Sequence, residues 1–235
     1  MIIDHSNQRV LEVLENREKA TVLAYLRREK DSGLLASVAE VTTDMWAGYA
    51  EAVREAFDGK AAVTIDRFHV MKNFQERLDQ ARRDLQRALP AEERARLKGS
   101  RWLWLTNPEN LTPLQREQLA ELKRDFPELA QLAEQREALR AIFDDPRIKA
   151  PQQGQRRLEA WMRGVRGLGL AALAAFCKTL DNWLDKIANY FRQRLSNGPT
   201  EGFNRGLRAI LWRSCGMLNF SHFRLRVLDA FGRPN

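Results

Sequence analysis

The chain has 235 residues, 44% of them hydrophobic, and a formal net charge of +8, enough to bury one substantial core with a large appendage and basic enough to favour polyanionic partners, nucleic acid foremost. Its two cysteines, Cys177 and Cys215, show no CxxC spacing, which excludes a disulfide framework or a cysteine zinc site and points to a reducing compartment. No apolar run approaches the roughly 20 residues of a membrane span, and the start is acidic, so the sequence reads as cytoplasmic.

Charge is uneven along the chain. Residues 1 to 80 carry 11 basic and 14 acidic side chains, residues 81 to 195 carry 22 and 15, and residues 196 to 235 carry 6 and 2. The acidic block alone has strand-like sequence. Met1-Ile2-Ile3 and Val10 to Leu14 predict two strands joined by the polar turn His5-Ser6-Asn7-Gln8. "REKATVLAYLRREK" then gives an amphipathic helix through Val22, Leu23, Tyr25 and Leu26, and Val38 to Thr43 a strand that ends on Asp44. "MWAGYAEAVREAF" is a second helix closed by Gly59, and "KAAVTI" a buried strand that ends on Asp66. The predicted order is β-β-α-β-α-β-α, with acids where strands finish.

From Arg67 to about Leu89 a long helix carries Phe68, Val70, Met71, Phe74 and Leu78, and Pro90 interrupts it. No strand is expected beyond that proline. "LTPLQREQLAELKRDFPELAQLAEQREALRAIF" predicts a long helix capped by Thr112, with Pro113 at its first position and a break near Pro127. Helices over Gln155 to Val165 and Leu168 to Arg194 follow, then the turn "SNGP" and a last helical pair around 200–212 and 219–230.

Asp44, Asp66, His69 and Glu201 are the candidate chemical residues. Carboxylates at neighbouring strand ends and at a helix start can converge on divalent ions, and hard oxygen ligands suit Mg²⁺ or Mn²⁺, which activate an attacking oxygen in phosphoryl transfer. Each residue also has a plainer reading. Asp66 can cap the helix at Arg67, His69 can be a half-buried histidine paired with Asp66, and Glu201 can be a favourable charge in a helix's first turn. Asn204, Arg205 and Arg208 share or border the face of Glu201.

"VTTDMWAGYAEAVREAFDGKAAVTIDRFHVMKNF" and "LSNGPTEGFNRGLRAILWRSCGMLNFSHFR", separated by over 100 residues, resemble the transposases of the ISL3 insertion-sequence family, which are DDE recombinases with an RNase H-like core. The resemblance runs over nearly the whole chain and is loosest between about 82 and 190. It implies an α/β fold in which an RNase H-like core, residues 1–81 and 196–235, is interrupted by an all-helical insertion, residues 82–195. It also implies that Asp44 is the second catalytic acid and a metal ligand, that Glu201 is the closing glutamate and a metal ligand, and that Asp66 and His69 of "DRFH" support the site. Asp4 matches a second-strand acid outside the triad.

The family's first catalytic aspartate lies on a strand before the hairpin, and "MIIDHSNQRVLEVLENRE" resembles the strands after it. The expectation is therefore a truncated or partial transposase with a split or rearranged sheet, or one that another chain completes. Zinc-binding and helix-turn-helix modules usual in the family also have no counterpart. The implied activity is metal-dependent cleavage and strand transfer of DNA at the element's terminal inverted repeats and a target, by a homo-oligomer associated with the bacterial nucleoid. A non-catalytic, DNA-binding or dimerising fragment that interferes with full-length transposase is the alternative, and a nuclease on the same core is a third. For DNA contact the candidates are Arg205, Arg208, Arg213, Arg224 and Arg226 on phosphates and Trp102 and Trp104 on bases, while Trp161 and Trp183 read as core. Arg82, Arg83, Arg87 and Arg94 read as solvated helix surface.

Overall fold

In the computed structural model, residues 1–195, 198–217 and 219–233 are described. Ser196 and Asn197 of the expected "SNGP" turn lie outside them. The chain divides into two compact units, one formed by Met1–Asp66 with the segment from Leu195 onward, the other by Arg67–Arg194. The second is inserted in sequence between a strand and a helix of the first.

The strand-containing unit begins with β1 (Ile2–Asp4) and β2 (Arg9–Glu12), an antiparallel hairpin. Its turn is held by Asp4, whose Oδ1 accepts from the main-chain N–H groups of Ser6 and Asn7, both at 3.1 Å. Then follow α1 (Lys19–Asp31), β3 (Glu40–Thr43), α2 (Ala47–Ala56) and β4 (Ala62–Ile65). β3 and β4 pair in parallel. Strands, helices and their order agree with the sequence reading. Among the described residues the four strands make two separate two-stranded sheets rather than one.

Strand alternation explains how the hairpin is covered on both faces. Ile2 and Leu11 pack on a cluster of Val22, Tyr25, Leu26, Val53 and Phe57, which Val41 and Val63 of the second sheet also join. Ile3 and Val10 face the other way, toward α10 (Gly198–Arg213) and α11 (Phe220–Phe231), through Phe203, Leu207, Phe223 and Val227. Their 203, 207, 210 and 220, 223, 227 spacings are the apolar stripes of two amphipathic helices. Asn219 caps α11, accepting from the N–H of His222 at 3.1 Å.

The other unit is entirely helical. It comprises α3 (Arg67–Ala88), α4 (Ala91–Leu97), α5 (Arg101–Leu105), α6 (Pro113–Asp125), α7 (Pro127–Asp144), α8 (Pro151–Arg166) and α9 (Ala171–Gln193). Pro127 breaks the long helix into α6 and α7, and Thr112 with Gln115 forms a capping box at the start of α6. Phe74 of α3 sits edge-on to Phe176 of α9 at 4.9 Å and within 6.3 Å of Trp161 of α8. Buried Arg136 donates to the carbonyls of Trp104 and Thr106 at 2.9 and 3.1 Å, satisfying acceptors at the end of α5.

Candidate active site

The parallel pair β3–β4 sets the geometry. Thr42 lies opposite Thr64 and Thr43 opposite Ile65, so Asp44 and Asp66 each follow one member of the last in-register pair. Neighbouring strands are about 4.8 Å apart, which puts the two acids side by side at the carboxyl ends of parallel strands, where open α/β sheets bind their ligands. Asp66 is buried and Asp44 half-buried. The Oδ1 atom of Asp44 is buried without a hydrogen-bond partner. An unsatisfied buried acceptor costs about 1–3 kcal/mol, and more when charged.

A second such atom lies at the start of β3, the strand that Asp44 follows. Glu40 accepts a hydrogen bond from the buried hydroxyl of Thr64 through Oε1, while its Oε2 is buried and unpartnered. The sequence reading missed Glu40. Its signal was spacing, since residues 40, 42 and 44 share one side of a strand.

Near the acids, the ring of Trp46 folds back over the start of α2 and meets Tyr49 edge-on at 4.5 Å. A Cβ at position 48 would lie 2.2 Å from that ring, so Gly48 is required for the close approach. His69 is half-buried in the first turn of α3, edge-on to Phe68 at 5.6 Å.

Glu201 is exposed in the first turn of α10. Residues 201, 205, 208 and 212 share one helical face, so Glu201 stands with exposed Arg205, Arg208 and Trp212, opposite the packed stripe of Phe203 and Leu207. Trp212 is 84% exposed and did not figure in the sequence reading, although its spacing from Glu201 gave the signal. Arg213 is exposed as well.

Other candidates divide. Arg224 is committed, donating two hydrogen bonds of 2.5 Å to the carboxylate of Glu12. Burial pushes the Glu12 carboxyl up, but the hydrogen bonds from Arg224 and the Val13 N–H, with the charges of Arg224 and Arg28, outweigh it and hold the group below the usual carboxylate range. Arg226 is exposed and donates to the Ser214 hydroxyl at 3.2 Å. Trp102 is 65% exposed beneath the Arg101 guanidinium, whereas Trp104 is 2% exposed with its indole N–H on the Ser100 hydroxyl. No face of Trp104 is open to a base, so stacking there falls to Trp102 alone.

Among the described residues, no three or more Asp, Glu, His or Cys side chains come together as a metal cage. Mg²⁺ does not demand one. It commonly takes one or two protein carboxylates and completes an octahedron with waters and substrate phosphates. The hard oxygens at the strand ends, one of them lacking any partner, fit that ion and do not fit a closed tetrahedral zinc site. Among the described residues, no helix is long and apolar enough to cross a membrane.

Comparison with known proteins agrees with the motifs. Residues 1–227 match the ISL3 family of DDE proteins, described as transposase. The chain is 27% identical over 234 residues to the transposase for insertion sequence element IS1001 of Bordetella parapertussis, covering 98% of this chain and 56% of that protein. It thus spans little more than half the length of that relative. No solved structure matches. The family match over nearly the whole chain identifies it as a member of the ISL3 family of insertion-sequence transposases.

Proposed function

We propose that the chain carries part of a metal-dependent DNA cleavage and strand-transfer site. Asp44 and Glu201 are its metal-binding carboxylates, with Asp66 and His69 in support. The observation that carries this reading is the unpartnered Oδ1 of Asp44 beside Asp66 at the in-register ends of β3 and β4, in a chain of a transposase family. A protein tolerates a desolvated, unsatisfied carboxylate oxygen where something else is to bind it. A divalent ion, Mg²⁺ or Mn²⁺, held by Asp44 and Glu201 would activate the attacking oxygen and stabilise the leaving one.

The chain's own residues would do the rest. Arg205, Arg208 and Arg213, on or beside the face of α10 that bears Glu201, and Arg226 on α11, hold the phosphate backbone of the element's end and of the target. Trp102 offers a stacking face for a displaced base. We read the two small sheets as parts of an RNase H-like core whose middle strand, with a third acid, comes from polypeptide outside these residues. The orphaned oxygen of Glu40 on β3 supports a partner arriving at that strand. The active form is then a longer protein, assembled as an oligomer on DNA.

The test is Mg²⁺- or Mn²⁺-dependent cleavage of DNA bearing the element's terminal repeats, by this chain and by an N-terminally extended version. Cleavage by the extended version alone, abolished by Asp44→Ala and by Glu201→Ala, is the expected result. Cleavage that survives both substitutions overturns the assignment.

A further inference from the structure

Arginines of the helical unit are, for the most part, already spoken for. Arg82 and Arg101 donate to Asp79, Arg87 to Asp84, Arg140 to Glu109 and Arg166 to Asp181. The outer face of α8 departs from that pattern. Arg156 and Arg163 are exposed, and among the described residues neither has an ion pair or hydrogen bond, while exposed Arg157, on the flank of the helix, lends its charge to Asp145.

Packing fixes which way this face points. Gly154, Leu158, Met162 and Val165 are buried, and the Phe191 ring of α9 comes so close that a Cβ at position 154 would lie 2.0 Å from it. The opposite side of the helix is thereby held outward. Arg156 and Arg163 stand on one line two turns apart, about 10.5 Å at 1.5 Å per residue, with small residues Ala160 and Gly164 between and beside them. Glu159, the single acid of α8, is half-buried at the edge of the face and accepts from Gln155 Nε2 at 2.9 Å. Two guanidiniums therefore stand on a rigid surface with no carboxylate on their line, and Arg157 flanks them beside Asp145.

We propose that this face of α8 is a docking strip for the phosphate backbone of duplex DNA, separate from the residues assigned to cleavage. The inference rests on the reading of the chain as a DNA transposase and adds a second contact surface to it. Charge complementarity selects the occupant. One duplex strand presents a phosphate every 3.4 Å of axis, so the span from Arg156 to Arg163 covers about three phosphate steps. Small residues between the cations let the backbone approach closely. Single strands need exposed aromatic platforms, and Trp161, the one aromatic residue of α8, is half-buried against Phe74 and Phe176.

The test measures binding of the full chain to a short random-sequence duplex over a range of salt, in EDTA, so that metal chemistry does not enter. Each phosphate contact contributes about 0.9 to the slope of log affinity against log salt, so the variant R156Q/R163Q is expected to bind more weakly and to lose roughly 2 from that slope. R156K/R163K keeps the slope, and so does R83Q/R87Q, whose native arginines are tied to Gln80 and Asp84. An unchanged slope in the glutamine variant, a preference for single-stranded over duplex DNA, or no duplex binding by the wild-type chain at low salt would each overturn the proposal. Failure of the cleavage assay with the slope change intact would strike the active-site reading and leave this one standing.

Discussion

Asp79 in the helical unit and Asp44 in the strand-containing unit are both acids at buried or half-buried positions, and the protein treats them in opposite ways. Asp79 is surrounded by Arg82, Arg101 and Arg83 at 2.9, 3.1 and 3.9 Å. Asp44 keeps an oxygen that nothing satisfies, as does Glu40 on the strand before it. Orphan atoms occur in the helical unit too, but those are the neutral Asn73 Oδ1 and Trp161 Nε1. The helical unit thus ties its buried acid into its own architecture, while the strand-containing unit leaves two carboxylate oxygens desolvated where the family's chemistry is expected. An unsatisfied carboxylate lowers stability, so its persistence marks a place where fold and function pull apart.

Substitutions at the two aspartates separate these roles. Asp79→Asn leaves the buried Arg82 guanidinium short of its counter-charge and is expected to cost about 3 kcal/mol of unfolding free energy in denaturant titration, with little effect on metal binding. A cost below about 1 kcal/mol would show that the arginines re-pair with solvent or other groups.

A smaller effect is expected where the strand unit does satisfy a buried acid. Glu12→Gln loses the charge-assisted pair with Arg224 that ties β2 to α11, at a cost of about 2 kcal/mol. The pH dependence has a definite sign. The folded-state pKa of Glu12 is lowered, so its contribution is present above the unfolded carboxylate value and is lost as pH falls through the lowered folded one. Thermal melts of the wild type should therefore decline on the acid side more steeply than those of Glu12→Gln. Parallel acid limbs would show that Glu12 contributes nothing to the acid sensitivity of the fold.

Asp44→Asn is the smallest change expected in stability, neutral or stabilising by up to about 1 kcal/mol, because it removes the charge from an unsatisfied site. A loss of more than that in denaturant titration would make Asp44 a structural residue like Asp79, and the contrast between the units would fail.

Much of this was legible in the sequence. The order of strands and helices followed from apolar periodicity and from Pro90, Pro127 and Gly59, and Thr112 announced its capping box through Pro113 and Gln115. The strand-end position of Asp44 and Asp66 was legible for the same reason. Pairing was harder. The sequence raised a split sheet as one of its expectations, yet which strands would join depended on contacts far apart in the chain. The "RWLW" pair was read as one unit, although residues two apart on a helix point about 200° from each other, so one faces the core and one solvent. Nor could spacing tell which arginines find partners. Arg224 is taken by Glu12, 212 positions away, while Arg156 and Arg163 on α8 find none among the described residues. Such pairings are set by tertiary packing, to which local pattern is blind.

The most direct test of the central claim, that the orphaned oxygen of Asp44 is a metal ligand, is a Mn²⁺ titration of the wild-type and Asp44→Asn proteins followed by electron paramagnetic resonance. Saturable Mn²⁺ binding is expected in the wild type, weakened on the order of tenfold or more by Asp44→Asn while the fold keeps its stability. Equal binding by the two proteins would contradict the claim.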